Sequence, residues 1–326
     1  MKFDTCQCWT FGTPLSSDAR HLLYYINSTL IGVEDEETGM RLVSFRSNGQ
    51  SGAGLLRDNL IFPLKNAGFS DAVSFIAAGE KEHKRAEGLL KTASSRKLLP
   101  LDSVRLTAPI PRPPKILCIG LNYRDHAKES KMEVPSVPTV FAKYASSVIG
   151  SGEPIVLSSA TQKPDYEAEF AVVIGKRAKQ IQRAKWKDCV FGYTIVNDVS
   201  ARDVQLATSQ WTLGKSFDTF APMGPYVTTA DEVPDPHTLD IRLSIGGETL
   251  QHSNTRELIF GVPELIEYLS SMLTLEPGDI ISTGTPAGVG LGRTPPRWLQ
   301  AGEEVLIEID KIGILRNPVI AEKAAH

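Results

Sequence analysis

The hydrophobic positions change period several times along the chain, and each change marks an element. Phe170-Ala171-Val172-Val173-Ile174 is a continuous apolar run rich in β-branched residues and stopped by a glycine, which predicts a strand from Tyr166 to Gly175. Phe191-Gly192-Tyr193-Thr194-Ile195-Val196 predicts a second strand. Shorter strands are expected at Arg41 to Phe45, Lys115 to Gly120 and Asp279 to Ser282. Helical spacing is clearest from Val262 to Met272, where Leu265, Ile266, Leu269 and Met272 recur at intervals of three and four. A helical stretch from Ser70 to Ala78 and a charged amphipathic segment from Lys81 to Lys97 complete the set.

Proline divides this pattern. In Ala108-Pro109-Ile110-Pro111-Arg112-Pro113-Pro114 each ring fixes its own φ and restricts the residue before it, so residues 108–115 are expected to be a stiff linker. It would separate a small N-terminal α+β domain, residues 1–107, from a β-rich domain, residues 116–326. There are no internal repeats.

Composition narrows the class without naming an activity. The 326 residues are 41% hydrophobic and 22% charged, which is ordinary for a globular protein able to bury a large core. A net charge of -3 argues against nucleic acid as a partner. Cys6, Cys8, Cys118 and Cys189 form no secreted framework, so reduced thiols in the cytoplasm are expected, with a mitochondrial location left open. The first residues lack the apolar core of a signal peptide, no stretch approaches a membrane span, and Ala324-Ala325-His326 is not a peroxisomal address.

The candidate chemistry begins with carboxylates. Glu167 and Glu169 are two residues apart on a strand and therefore share a face. Asp198 follows the next predicted strand and sits at its end. Three converging carboxylates suit a hard divalent ion, Mg²⁺ first and Mn²⁺ or Ca²⁺ next, whereas zinc would call for nearby His or Cys. Alone, a Glu-x-Glu pair is better read as the solvated face of an edge strand. Likewise His126 and Glu129, three apart on a helical turn from Tyr123 to Lys131, could be a local pair or a general base with its orienting carboxylate. Thr283-Gly284-Thr285-Pro286-Ala287-Gly288-Val289-Gly290 is a Gly-rich turn whose spacing fits neither a P-loop nor a dinucleotide fingerprint, and Thr285 is placed against a substrate carboxylate.

These elements occur in one order: Gly120 to Glu129, Asp165 to Glu169, Asp198 to Gln205, Gly214 to Asp218, then Thr283 to Gly290. From roughly Arg41 to about Ile314 the set resembles the fumarylacetoacetate hydrolase superfamily. Through Asn122-Tyr123-x-Asp125-His126-x-x-Glu129 it is most similar to the acylpyruvate hydrolase and oxaloacetate decarboxylase branch. The resemblance implies a mixed β-roll for the main domain, hence an α+β fold, and a homodimer built through it. It implies Glu167, Glu169 and Asp198 as metal ligands, and His126 with Glu129 as a water-activating pair on a segment that closes over substrate, with Pro135 and Pro138 bounding that lid. It places Lys215 in the site and Gln205 on a substrate oxygen. Arg202 either joins Gln205 there or braces the acids as an ion pair. Tyr123, Phe141 and Lys143 are expected to line the pocket.

The expected activity is Mg²⁺-dependent cleavage of a carbon–carbon bond in a 2-oxo acid, by acylpyruvate-type hydrolysis or by oxaloacetate decarboxylation through a metal-bound enolate. Two alternatives stay open. One is macrophomate synthase-like carbon–carbon bond formation from a pyruvate enolate; the other is a non-catalytic protein that binds metal and carboxylate.

Overall fold

The computed structural model describes residues 40–323. The Cys6-Cys8 pair, the expectation about the first residues and the Ala324-Ala325-His326 tail lie outside them. Among the described residues no helix is long and apolar enough to cross a membrane.

The apolar run predicted from Tyr166 to Gly175 forms the strand Ala168–Ile174, and every residue of it is buried. It is buried on both faces because it lies inside the sheet. One edge pairs antiparallel with the strand Val190–Asn197 and the other with Ile280–Ser282. Its side chains alternate between two cores, as strand geometry requires. Phe170 and Val172 join Ile241, Leu243, Leu265, Leu269 and Ile307. Ala171 and Val173 join Leu42, Phe75, Ile76 and Ile116. A strand covered on both faces reads as a continuous hydrophobic run, which is the pattern seen in the sequence.

Two larger sheets build the molecule. The first runs Leu99–Pro100, Leu60–Pro63, Gln50–Arg57, Arg41–Ser47, Ala221–Thr229, Val190–Asn197, Ala168–Ile174, Ile280–Ser282, Ile116–Gly120 and Thr139–Ala142, with Arg105–Thr107 and Val148–Ile149 as branches. The second is five-stranded: Glu248–Asn254, Asp240–Ile245, Glu304–Ile309, Gly313–Ala321 and Ile155–Leu157. With few helices the fold is α+β and sheet-rich. The first sheet continues across the Pro-rich segment, since Arg41 and Leu42 pair with Thr228 and Val227. The chain on either side of residues 108–115 is thus joined by backbone hydrogen bonds.

The helices follow their sequence signals with one difference. Val262–Met272 carries Pro in its first turn and buries Val262, Leu265, Ile266 and Leu269. Ala72–Ala77 is started by a capping box in which Asp71 accepts from the Ser74 amide while the Ser74 hydroxyl accepts from the Asp71 amide. The amphipathic segment expected from Lys81 to Lys97 is a helix only over Glu80–Thr92, and a separate 3₁₀ turn follows at Ser95–Lys97. Ala93 is extended there, where two serines of modest helix propensity follow.

Candidate metal and acid–base site

Sheet register brings the three acids together. Ala168 pairs with Asn197, so the start of one strand lies beside the end of its neighbour. Glu167, just before the first, and Asp198, just after the second, become spatial neighbours. The Glu167 amide donates to Asn197 Oδ1 at 3.1 Å, and the Asp198 amide donates to the Glu167 carbonyl at 2.9 Å. Glu169 projects from the same face as Glu167. One carboxylate oxygen from each of Glu167, Glu169 and Asp198 lies within 4.8 Å of the others, and all three residues are buried.

Burying these charges requires partners. Lys215 Nζ donates to Glu167 Oε2 and to Asp198 Oδ2, 2.8 Å in each case. Lys143 Nζ donates to Asp198 Oδ1 at 2.6 Å and to the Val199 carbonyl at 3.1 Å. Arg202 spans a wider arc: Nη2 to Glu167 Oε1 at 2.6 Å, Nε to Asp165 Oδ2 at 2.8 Å and Nη1 to Gln205 Oε1 at 2.9 Å. Glu169 is different. Its Oε2 accepts from Ser282 Oγ at 2.5 Å and the Gly284 amide at 3.0 Å, and no lysine or arginine bonds to it.

The carboxylates therefore titrate in opposite directions. Burial alone would raise Glu167, but Lys215 and Arg202 outweigh it and bring the group down to about 2. Burial raises Glu169, and the nearby Asp198 and Glu167 charges push it further, to about 8. Lys215 is raised because Asp198 and Glu167 outweigh its desolvation. An all-oxygen donor set with one under-compensated carboxylate fits a hard divalent cation. Glu167, Glu169 and Asp198 are the residues able to hold it.

The acid–base pair is assembled from the other side. Within the helix Arg124–Glu129, His126 Nδ1 lies 3.1 Å from Glu129 Oε2. Glu129 Oε1 accepts the Gly288 amide at 3.0 Å, so the Gly-rich turn fixes the carboxylate that orients the imidazole. At Gly284, with φ +96°, a Cβ would stand 2.8 Å from Asn122 Cβ and from the Ile119 carbonyl, which requires glycine in this turn.

Other sequence candidates find defined places. The Tyr123 hydroxyl is buried without a hydrogen-bond partner, and Phe141 lies beneath Lys215 Nζ, 5.0 Å from ring centre to nitrogen. Arg202 has the bracing geometry, and Gln205 is its hydrogen-bond partner. The Thr285 hydroxyl is engaged on both sides: it donates to the Ala168 carbonyl at 2.9 Å and accepts from Gln251 Nε2 at 2.9 Å. That leaves it bonded to protein rather than free for a substrate carboxylate. Three residues were missed. Asp165 ties Arg202 to the Gly290 and Leu291 amides, and Asn122 ties the Thr283 carbonyl to both backbone groups of Phe260. Both stood inside motifs already noted; Gln251 had no signal at all.

Comparison with known proteins agrees with this geometry. Residues 115–320 match the fumarylacetoacetate (FAA) hydrolase C-terminal family model. Oxaloacetate tautomerase fahd2, mitochondrial, of Xenopus laevis is 42% identical over 86% of this chain and 90% of its own length. Oxaloacetate tautomerase FAHD2A, mitochondrial, of Bos taurus is 39% identical over 94% of this chain and 100% of its own. Among solved structures, fumarylacetoacetate hydrolase from psychrophilic Exiguobacterium antarcticum superposes with a TM-score of 0.78 at 35% identity, covering 87% of this chain and 100% of that one. Maleylpyruvate hydrolase from Sphingobium sp. SYK-6, in complex with manganese(II) ion and pyruvate, gives 0.75 at 31% identity over the same shares. The chain described here belongs to the fumarylacetoacetate hydrolase family of enzymes.

Proposed function

We propose that this enzyme acts on a small 2-oxo dicarboxylic acid, oxaloacetate foremost, and interconverts its enol and keto forms. The observation that carries the reading is the buried meeting of Glu167, Glu169 and Asp198 in a chain 42% identical to an oxaloacetate tautomerase over nearly its whole length. Mg²⁺, or Mn²⁺ or Ca²⁺ in its place, held by these three residues, supplies Lewis acidity toward the carboxylate and keto oxygens of such an acid.

The chain's own residues do the rest. Lys215, raised and buried, stays an ammonium and offsets negative charge developing on the substrate oxygen. Glu129 holds His126 Nδ1, so Nε2 is the nitrogen free to move a proton. Ketonisation removes a proton from the enol oxygen and returns one to the adjacent carbon, and His126 serves as the shuttle. Gln205 gives its carbonyl oxygen to Arg202 and keeps its amide donors for substrate oxygen. The Tyr123 hydroxyl offers one further donor.

A second reading rests on the same dyad. A histidine oriented by a carboxylate can activate water, so hydrolysis of an acylpyruvate, with decarboxylation of oxaloacetate beside it, is the competing activity. Proton NMR with oxaloacetate and acetylpyruvate, each with Mg²⁺ and with chelator, separates them. Faster enol-to-keto exchange without pyruvate supports tautomerisation; pyruvate with acetate supports hydrolysis; pyruvate from oxaloacetate alone supports decarboxylation. Adducts larger than the substrate would point to enolate trapping, and binding without turnover to a binding protein. The homodimer belongs to the same proposal and is tested by light scattering. So does a reducing compartment, for which the mitochondrial relatives favour the mitochondrion over the cytoplasm; imaging of the tagged full chain tests it.

A further inference from the structure

The strand that carries the two glutamates outruns its neighbour. Ile280–Ser282 pairs with it only from Ala171 to Val173, and beyond Ser282 the chain turns into the Gly-rich loop. Ala168, between Glu167 and Glu169, would be left with an unpaired amide and carbonyl on that edge, an unfavourable arrangement inside a protein. Side chains take the place of the missing strand. The Ala168 amide donates to Gln251 Oε1 at 2.9 Å, and its carbonyl accepts from Thr285 Oγ1 at 2.9 Å. Gln251 Nε2 closes the ring by donating to Thr285 Oγ1 and to the Pro286 carbonyl, both at 2.9 Å.

Gln251 comes from the other sheet, and a bulge aims it. Along the strand Glu248–Asn254, Leu243 pairs with Gln251 but Ser244 pairs with Thr249, so Leu250 is an extra residue. Regular alternation would turn one of two consecutive side chains outward, yet both Leu250 and Gln251 are buried. The Gly-rich turn fits this bulge closely: a Cβ on Gly288 would lie 2.1 Å from the Leu250 carbonyl. Arg293 Nη2 donates to the same carbonyl at 2.8 Å. Bulge, glutamine and turn therefore meet at the one residue that separates two carboxylates of the cation site.

We propose that Gln251 is a positioning residue for the cation site: with Thr285 it fixes the backbone at Ala168 and so sets where Glu167 and Glu169 stand relative to Asp198. This rests on the reading of those acids as cation ligands. All four hydrogen-bonding contacts in the ring join uncharged groups, so its contribution is to placement, not to the charge of the site.

The test is calorimetric titration of Mn²⁺ alone into the full chain after treatment with chelator, for wild type, Gln251→Met and Thr285→Val, with the thermal midpoint of each metal-free protein measured alongside. Both variants are expected to bind Mn²⁺ more weakly by ~10-fold or more, the usual scale for residues that orient metal ligands. The loss should persist at temperatures where the metal-free variant is fully folded. A purely structural residue would lower the midpoint and leave the affinity of the folded protein unchanged, and that result overturns the proposal. If Gln251→Met does not fold, Thr285→Val decides alone, because it removes the other end of the same ring. Absence of Mn²⁺ binding in wild type would instead strike the reading of the acids themselves.

Discussion

Lys143 Nζ donates to Asp198 Oδ1 at 2.6 Å, and neither side chain has any exposed surface. Replacing Lys143 with Met removes one of the two ammonium groups on Asp198 and leaves Lys215 on the other oxygen. Breaking a buried pair costs ~3–5 kcal/mol, and the remaining partner places Lys143→Met at about 3 kcal/mol or less. Urea denaturation in chelator should show that loss, and added Mn²⁺ should recover part of it by taking over the unpaired charge.

Arg202 has no substitute. It bonds to Glu167, Asp165 and Gln205 together, so Arg202→Met strands two buried carboxylates and should destabilise by about 4 kcal/mol. The acid side gives a sharper readout. Glu167 is held at about 2 in the fold against an ordinary 4.5, so its contribution is complete above about 4.5 and is lost as pH falls toward 2. Without Arg202 the folded value rises, and acid unfolding should begin at higher pH.

Glu169 has the opposite sign. Its folded value near 8 exceeds 4.5, so in the metal-free protein its contribution is complete below about 4.5 and disappears as pH rises through 8. Metal-free wild type should lose thermal stability across that window, and Glu169→Gln should flatten the profile. A cation must displace the proton, so Mn²⁺ affinity should climb with pH up to about 8. Calorimetry at pH 7 in two buffers of different ionisation enthalpy should register release of close to one proton.

Glu129→Gln keeps an oxygen to accept the Gly288 amide but removes the charge beside His126. The Glu129 carboxyl lies below its ordinary value because the hydrogen bonds from His126 and the Gly288 amide outweigh its burial, so it is ionised at neutral pH. Turnover should fall ~100-fold or more with little change in Mn²⁺ affinity, as expected for loss of a base-orienting group. Steady-state kinetics beside the same calorimetric titration checks both halves of the statement.

What the chain's pattern reveals, and what it hides, follows from how far apart the interacting groups are. The strand at Ala168–Ile174 and the helix at Val262–Met272 are legible because burial imprints a local period on their residues. The acids are legible because Glu167 and Glu169 are two apart on a strand. Their convergence with Asp198 depends on the register of Ala168 with Asn197, and the sequence supports it only through resemblance. Pairing of Arg41 and Leu42 with Thr228 and Val227 is a non-local choice with no local mark, so the first hundred residues read as more separate than their sheet makes them. Thr285 shows the same limit. A threonine in a Gly-rich turn looks available to a ligand until a glutamine from another sheet is found against it.

The central claim is that Glu167, Glu169 and Asp198 hold a cation on which 2-oxo acid chemistry depends. Its most direct test is the rate of enol-to-keto conversion of oxaloacetate, followed by its ultraviolet absorbance, for wild type and for the double variant Glu167→Gln with Glu169→Gln, each with Mg²⁺ and with chelator. Wild type should accelerate the conversion only with Mg²⁺, and the folded double variant should fall to the rate of Mg²⁺ alone. Equal acceleration by the double variant, or by wild type in chelator, would contradict the account.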